Sequence, residues 1–166
     1  NISASGDVLF NKDNIKGKAA LDCRSGNVAV EGSVATDGQY ALSICGKELQ
    51  LLTLTGVQGL GECGVDIEAS GNVNDNSNLA TVSATIVDLD YNGYRYAPIE
   101  VNGKYAVDDI VAKVVSGDPN ARMQLTAKYD VVDEKMLKLS LKADNFSPVG
   151  LNLVEMEQRQ DFSFTF

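Results

Sequence analysis

Asp88, Asp90 and Asn92 alternate with Leu89 and Tyr91, and Gly93 follows. This is the first half of a calcium loop, in which oxygen ligands at alternate positions wrap a cation and a glycine allows the turn. The second half differs: the closing carboxylate belongs at position 99, which is Ile99, and Glu100 comes one residue late. A tight hairpin accounts for Asn92-Gly93 without an ion, so no metal or other cofactor is expected, with calcium at Asp88, Asp90 and Asn92 as the alternative. Tyr91, Tyr94 and Tyr96 surround the same tip. They offer either an aromatic platform for a glycan or protein ligand or ordinary cross-strand packing.

Histidine is absent from the chain, which removes Ser-His-Asp and Cys-His nucleophile arrangements and the commonest zinc ligand. Carboxylates are plentiful, but no pair of them is marked out by sequence for acid-base work. Gly56-Val-Gln-Gly-Leu-Gly61 lacks the spacing of a phosphate loop. No catalytic residue is assigned, and the expectation is a protein that is not an enzyme.

Twenty-three acidic against fourteen basic residues give a net charge of −9, which repels phosphate backbones and anionic lipid surfaces. Nucleic acid is therefore not an expected partner. No run of about 20 apolar residues is present, so no membrane insertion is expected. The start at Asn1 without methionine reads as a mature exported chain. Cys23, Cys45 and Cys63 point the same way, towards a disulfide in an oxidising compartment, as one pair and one leftover thiol. Cys23 and Cys45 flank two strands joined at Asp37-Gly38, so hairpin formation could bring them together.

Alternation of apolar with polar or small residues, the period of a strand with one buried face, recurs along the chain. Ile2, Ala4, Gly6, Val8 and Phe10 form one such set; Val28, Val30 and Gly32 a second; Leu137, Leu139, Leu141 and Ala143 a third; Phe162, Phe164 and Phe166 a fourth. Asp37-Gly38, Asn92-Gly93 and Asn102-Gly103 supply the positive φ angles of tight hairpins. The last two share the stretch from Tyr94 to Val101, which makes Thr81 to Val107 a three-stranded meander, and Pro98 marks an edge or a bulge in it. Asp108 to Ser116 fits a short helix or a strand equally, and Lys47 to Thr55 is similarly ambiguous. With 166 residues and no linker composition, the expectation is one domain over residues 1–166. It is all-β, an antiparallel β-sandwich of immunoglobulin-like or jelly-roll-like kind with at most one short helix.

Ile2-Ser-Ala-Ser-Gly6-Asp-Val-Leu-Phe10, the placement of Cys23 and Cys63, and Asp161-Phe-Ser-Phe-Thr-Phe166 together resemble the subunits of chaperone–usher fimbriae. That resemblance implies an N-terminal extension, residues 1–10, that completes a neighbouring subunit's sheet, with Ile2, Ala4, Gly6, Val8 and Phe10 facing the acceptor groove. It also implies a Cys23–Cys63 disulfide; Cys45, the alternative partner of Cys23, departs from the pattern. The function so implied is an extracellular structural subunit, secreted or on the cell surface, that assembles with copies of itself or related subunits into a pilus or filament. The alternative is a monomeric secreted binding module that uses the Tyr91–Tyr96 hairpin, with or without calcium.

Overall fold

The computed structural model describes residues 2–131 and 136–154. The described chain forms β1 (Ser3–Phe10), β2 (Asn14–Cys23), β3 (Gly26–Ala35), β4 (Gln39–Gln50), a single helical turn α1 (Leu51–Thr55) and β5 (Glu62–Asn72). It continues through β6 (Ala80–Val87), the short β7 (Asp90–Tyr91) and β8 (Tyr94–Arg95), then β9 (Ile99–Tyr105), β10 (Asp109–Asp118), β11 (Ala121–Asp130) and β12 (Leu137–Phe146). The protein is all-β and antiparallel. Hydrogen bonding joins ten strands in one sheet, in the order β1-β2-β3-β4-β5-β6-β9-β10-β11-β12, while β7 and β8 pair only with each other. Where a sandwich would divide its strands between two facing sheets, this chain keeps them in one meander.

The register explains why such a sheet forms from this sequence. Starting from Gly6, directly opposed residues run through Ala19, Val30, Ile44, Ile67, Ala84, Val101, Val114 and Leu125 to Leu141. Parallel rows run from Val8 to Leu139 and from Ala4 to Ala143 with no net slip. None of these three rows contains a charged residue. The row between the first two starts at Asp7 and passes through Lys18, Glu31, Ser43 and Glu68 to Ser140, so one face of the sheet is apolar and the other polar. A one-residue slip of any strand would exchange its faces, and this fixes the pairing.

Turn residues act mostly as their chemistry dictates. Gly38 sits at φ +88 between β3 and β4, and Asn92 and Gly93 at φ +50 and +73 make the β7–β8 hairpin. Gly26, at φ +122, lets β3 start against the backbone of Glu48 and Leu49, where the register of β4 against β5 shifts. The Lys47 to Thr55 segment divides between both readings, with strand to Gln50 and then α1, which Gly56 ends in the left-handed conformation with its N–H on the Leu52 carbonyl.

Several expectations are corrected. Asn102-Gly103 lies inside β9, paired with Ser83 and Val82 on one side and Lys113 and Ala112 on the other, and makes no turn. The sheet pairing of a whole strand outweighs the local preference of two residues. The three-stranded meander is accordingly β6 and β9 with the β7–β8 hairpin set between them, and Pro98 falls at the break before β9. Asp109–Asp118 is strand β10, as its β-branched content favours over a helix. The N-terminal segment is not a free extension: β1 pairs with β2 from Ser3 to Phe10. Phe162, Phe164 and Phe166 lie outside the described residues.

Candidate functional site

β7, β8 and the segment after β12 gather over one end of the apolar face, and Asp118 is what they close on. It ends β10 opposite Ala121 and is 1% exposed. Its Oδ1 accepts from the Tyr94 hydroxyl and from the Asn120 N–H, both at 2.8 Å, and its Oδ2 accepts from the Ala97 N–H at 2.8 Å. Burial pushes the carboxyl upward, but the Ala97 N–H, the Tyr94 hydroxyl and the N–H groups of Asn120 and Ala121 outweigh it and hold Asp118 below the usual carboxylate range. A carboxylate kept ionised with its oxygens occupied is an anchor; it has little capacity left to take a proton from a substrate.

Two of the three tyrosines of the alternative aromatic platform, Tyr94 and Tyr96, take part in this closure. Tyr94 and Tyr96 meet edge to face at 4.9 Å, Tyr94 points to Asp118, and the Tyr96 hydroxyl reaches the Leu151 carbonyl at 3.5 Å. Burial raises the pKa of both phenols, with Asp118 adding to the effect. Tyr91 pairs with Tyr94 and bridges to Leu60. Asn120 Nδ2 donates to the Tyr94 hydroxyl at 3.1 Å and to the Gly150 carbonyl at 3.4 Å, which seats the fully buried Leu151. Asn92 and Asn152 exchange side-chain amide to backbone carbonyl bonds of 3.2 and 3.0 Å, a reciprocal clasp between the hairpin and the last described loop.

The calcium candidates are likewise engaged. Asp88 pairs with Arg95 at 3.4 Å, Asp90 Oδ1 accepts the Gly93 N–H at 3.2 Å, and Asn92 is in the clasp. Among the described residues no group of His, Cys, Asp or Glu is arranged to hold a metal ion.

The cysteine expectation is overturned: Cys23, Cys45 and Cys63 are all unpaired. Cys23 ends β2 opposite Gly26 of β3, while Cys63 lies in β5 opposite Leu49 of β4. Three inter-strand steps separate them, roughly 14 Å, against the roughly 4.4–6.8 Å that a disulfide spans. Cys45 pairs with Ala29 and Asp66 on the polar face, whereas Cys23 and Cys63 belong to the apolar one, so neither can reach it. A side-chain hydrogen bond to Asp66 raises the Cys45 thiol pKa, and burial raises that of Cys63. The thiols therefore give the export reading no support.

What sequence reasoning did not single out is the apolar face as a whole. Among the described residues only Cys63, Ala106, Ala121 and Leu151 are buried apolar side chains. Along the face Val8 is 58% exposed, Val82 36%, Leu125 38% and Leu139 65%. A hollow of about 550 Å³ lies on it between Val8, Ile15, Val30, Val34 and Leu42. The alternation that carries the face is plain in the sequence; that among the described residues no second layer of strands covers it is not. Among the described residues no helix is long and apolar enough to cross a membrane.

Comparison with known protein families, curated proteins and solved structures finds no match.

Proposed function

We propose that this protein holds long apolar chains, such as the acyl tails of a lipid, along the uncharged face of its sheet. The observation that carries the reading is that face: register rows without a charge across ten strands, half exposed to solvent. Strand spacing and rise make it about 43 Å across the strands and about 20 Å along them, well above the few hundred Å² of contiguous apolar surface that a monomer normally exposes. Its side chains are chiefly aliphatic or small, which suits methylene chains that need no fixed polar contacts. The closure around Asp118 stands over one end of the face. A second flat sheet would have to clear that ridge, and a thin flexible chain would not.

Fluorescence titration with a polyene fatty acid, whose emission rises in apolar surroundings, tests the reading. Saturable binding is expected, and Val82→Asp combined with Leu125→Asp should weaken it about tenfold or more, the effect of roughly 1.4 kcal/mol or more of lost transfer energy. Thr126→Asp, on the polar face, should leave it unchanged. Absence of saturable binding, or equal loss from both faces, sinks the proposal.

A second reading is favoured by the two edges. Among the described residues β1 and β12 each leave one side of their backbone outside the sheet, and unpaired strand edges invite strand addition. On this reading the chain is a structural subunit that assembles by its edges with copies of itself or related subunits, Ile2 and the β1 residues Ala4, Gly6, Val8 and Phe10 entering the contact. Secretion and a filament at the cell surface belong to this reading.

A further inference from the structure

From the parity of the sheet and the charges at its two edges, we infer that copies of this chain join head to tail, β12 of one against β1 of the next; this rests on the strand-addition reading above. Every neighbouring pair in the sheet is antiparallel, and among the described residues the sheet has ten strands. An even number leaves β1 and β12 running in opposite directions. A second copy placed beyond β12 therefore continues the alternation of direction without being inverted.

The faces also continue. Because the row from Val8 ends at Leu139 and the row from Gly6 ends at Leu141 with no net slip, a β1 that extends those rows sets Val8 opposite Leu139. Gly6 then faces Leu141, a missing side chain beside a large one. Apolar meets apolar and polar meets polar across the junction, and the uncharged face lengthens with each copy.

Charge favours this pairing over the symmetric β12 to β12 pair centred on Ser140. On the polar face β1 carries one charge, Asp7, and β12 carries Lys138 and Lys142 on either side of Ser140, with Asp144 beyond them. In the head-to-tail register Asp7 lies opposite Ser140, diagonal to both lysines and within reach of their long side chains. An antiparallel β12 to β12 pair centred on Ser140 would instead set Lys138 against Lys142, and like charges directly opposite are destabilising. Asp7 is salt-bridged at 3.5 Å to Lys18, both side chains exposed, so it remains open to further cations. β1 is exposed at every residue and β12 from Leu137 to Lys142. A contact between two different edges is heterologous and does not close on itself unless a rotation completes a ring.

The test uses the full 166-residue chain with Cys23→Ser, Cys45→Ser and Cys63→Ala, carrying Val8→Cys, Leu139→Cys or both, treated with a short bis-maleimide cross-linker. Within one copy these positions stand at opposite edges of the sheet, nine strand steps or roughly 43 Å apart along it. The double variant should give a ladder of covalent multimers and each single variant only monomer. Dimers from either single variant would overturn the head-to-tail pairing while leaving strand addition standing; monomer throughout would overturn both. A second series needs no cysteine: sedimentation should show Asp7→Lys alone, and Lys138→Asp with Lys142→Asp, each reducing assembly at least tenfold, a loss of about 1.4 kcal/mol, and the three changes together restoring it. Unaltered assembly in the first two, or no rescue in the third, would count against the pairing.

Discussion

The Tyr94 hydroxyl donates to Asp118 Oδ1 at 2.8 Å across 24 residues of sequence, and this bond closes the β7–β8 hairpin onto the end of β10. Asp118 also accepts the Ala97 N–H, so its carboxylate ties together the hairpin, the break before β9 and the turn into β11. Asp118→Ala should destabilise the fold by about 2–3 kcal/mol, because it strands several buried donors at once. Tyr94→Phe should cost about 1 kcal/mol, since it removes one donor and leaves the ring against Tyr96. Urea unfolding monitored by circular dichroism measures both, and equal losses from the two would show that the carboxylate is not the hub.

Acid should loosen the same end of the sheet. Burial alone would raise the Asp118 pKa, but the hydrogen bonds from Ala97, Tyr94, Asn120 and Ala121 bring it below the ordinary value. The folded state therefore binds fewer protons than the unfolded one, and the stabilisation is fully present above the unfolded value of about 3.9. It is lost as the pH falls below that and passes through the folded pKa. Asp75, exposed and lowered by its hydrogen bonds to Ser77, adds in the same direction. Unfolding free energies measured from pH 6 down to pH 2 should fall less steeply in Asp118→Asn than in the native chain.

Gly26 adopts φ +122, and a Cβ there would lie 2.7 Å from the Glu48 carbonyl oxygen and 2.9 Å from the Leu49 Cα. Both neighbours are backbone and cannot swing aside. Gly26→Ala should cost about 2–3 kcal/mol from the left-handed strain together with the displaced β4 backbone. Gly117, in β10, has nothing within 4 Å of its Cβ position, so Gly117→Ala should stay within about 0.5 kcal/mol. Thermal melts of the two variants compare them directly.

Intact mass and peptide mapping without reduction should find three free thiols. Reaction with a chromogenic disulfide at neutral pH should be slowest at Cys63, which is buried with its pKa raised by that burial, and held back at Cys45 by the hydrogen bond to Asp66. A Cys23–Cys63 link would require the two to come from about 14 Å to within about 7 Å. Finding one would overturn the register of β2 to β5.

Strand periodicity was legible because alternation reports a face directly: of the set Ile2 to Phe10 all but Ile2 lies in β1, and Val28 to Gly32 and Leu137 to Ala143 lie wholly in strands. Asp37-Gly38 and Asn92-Gly93 also turned as their dipeptides suggest. Asn102-Gly103 did not, because its neighbours on both sides were already in register with it, and no local preference reports that. The Asp118 anchor was hidden for a similar reason: two of its donors, Tyr94 and Ala97, lie more than 20 residues upstream. Alternation also says which face is apolar without saying what covers it, so a sandwich and a single open sheet share one sequence pattern.

The open sheet predicts an unusual tolerance of charge on its apolar side. In a packed sandwich core, a carboxylate introduced opposite a second sheet would be buried and unpaired, at a cost of about 3–5 kcal/mol. Val82, on the central strand β6, and Leu125, on β11 beside the edge strand, both lie on the apolar face yet are 36% and 38% exposed, so a carboxylate there can turn towards water. Val82→Asp and Leu125→Asp should therefore each cost under about 1.5 kcal/mol, chiefly lost strand propensity and side-chain contact. Urea unfolding of the two single variants reads this without reference to any ligand. Losses as large as the sandwich value would mean that another layer covers the face in solution, and the acyl-chain proposal would then lose the surface on which it depends.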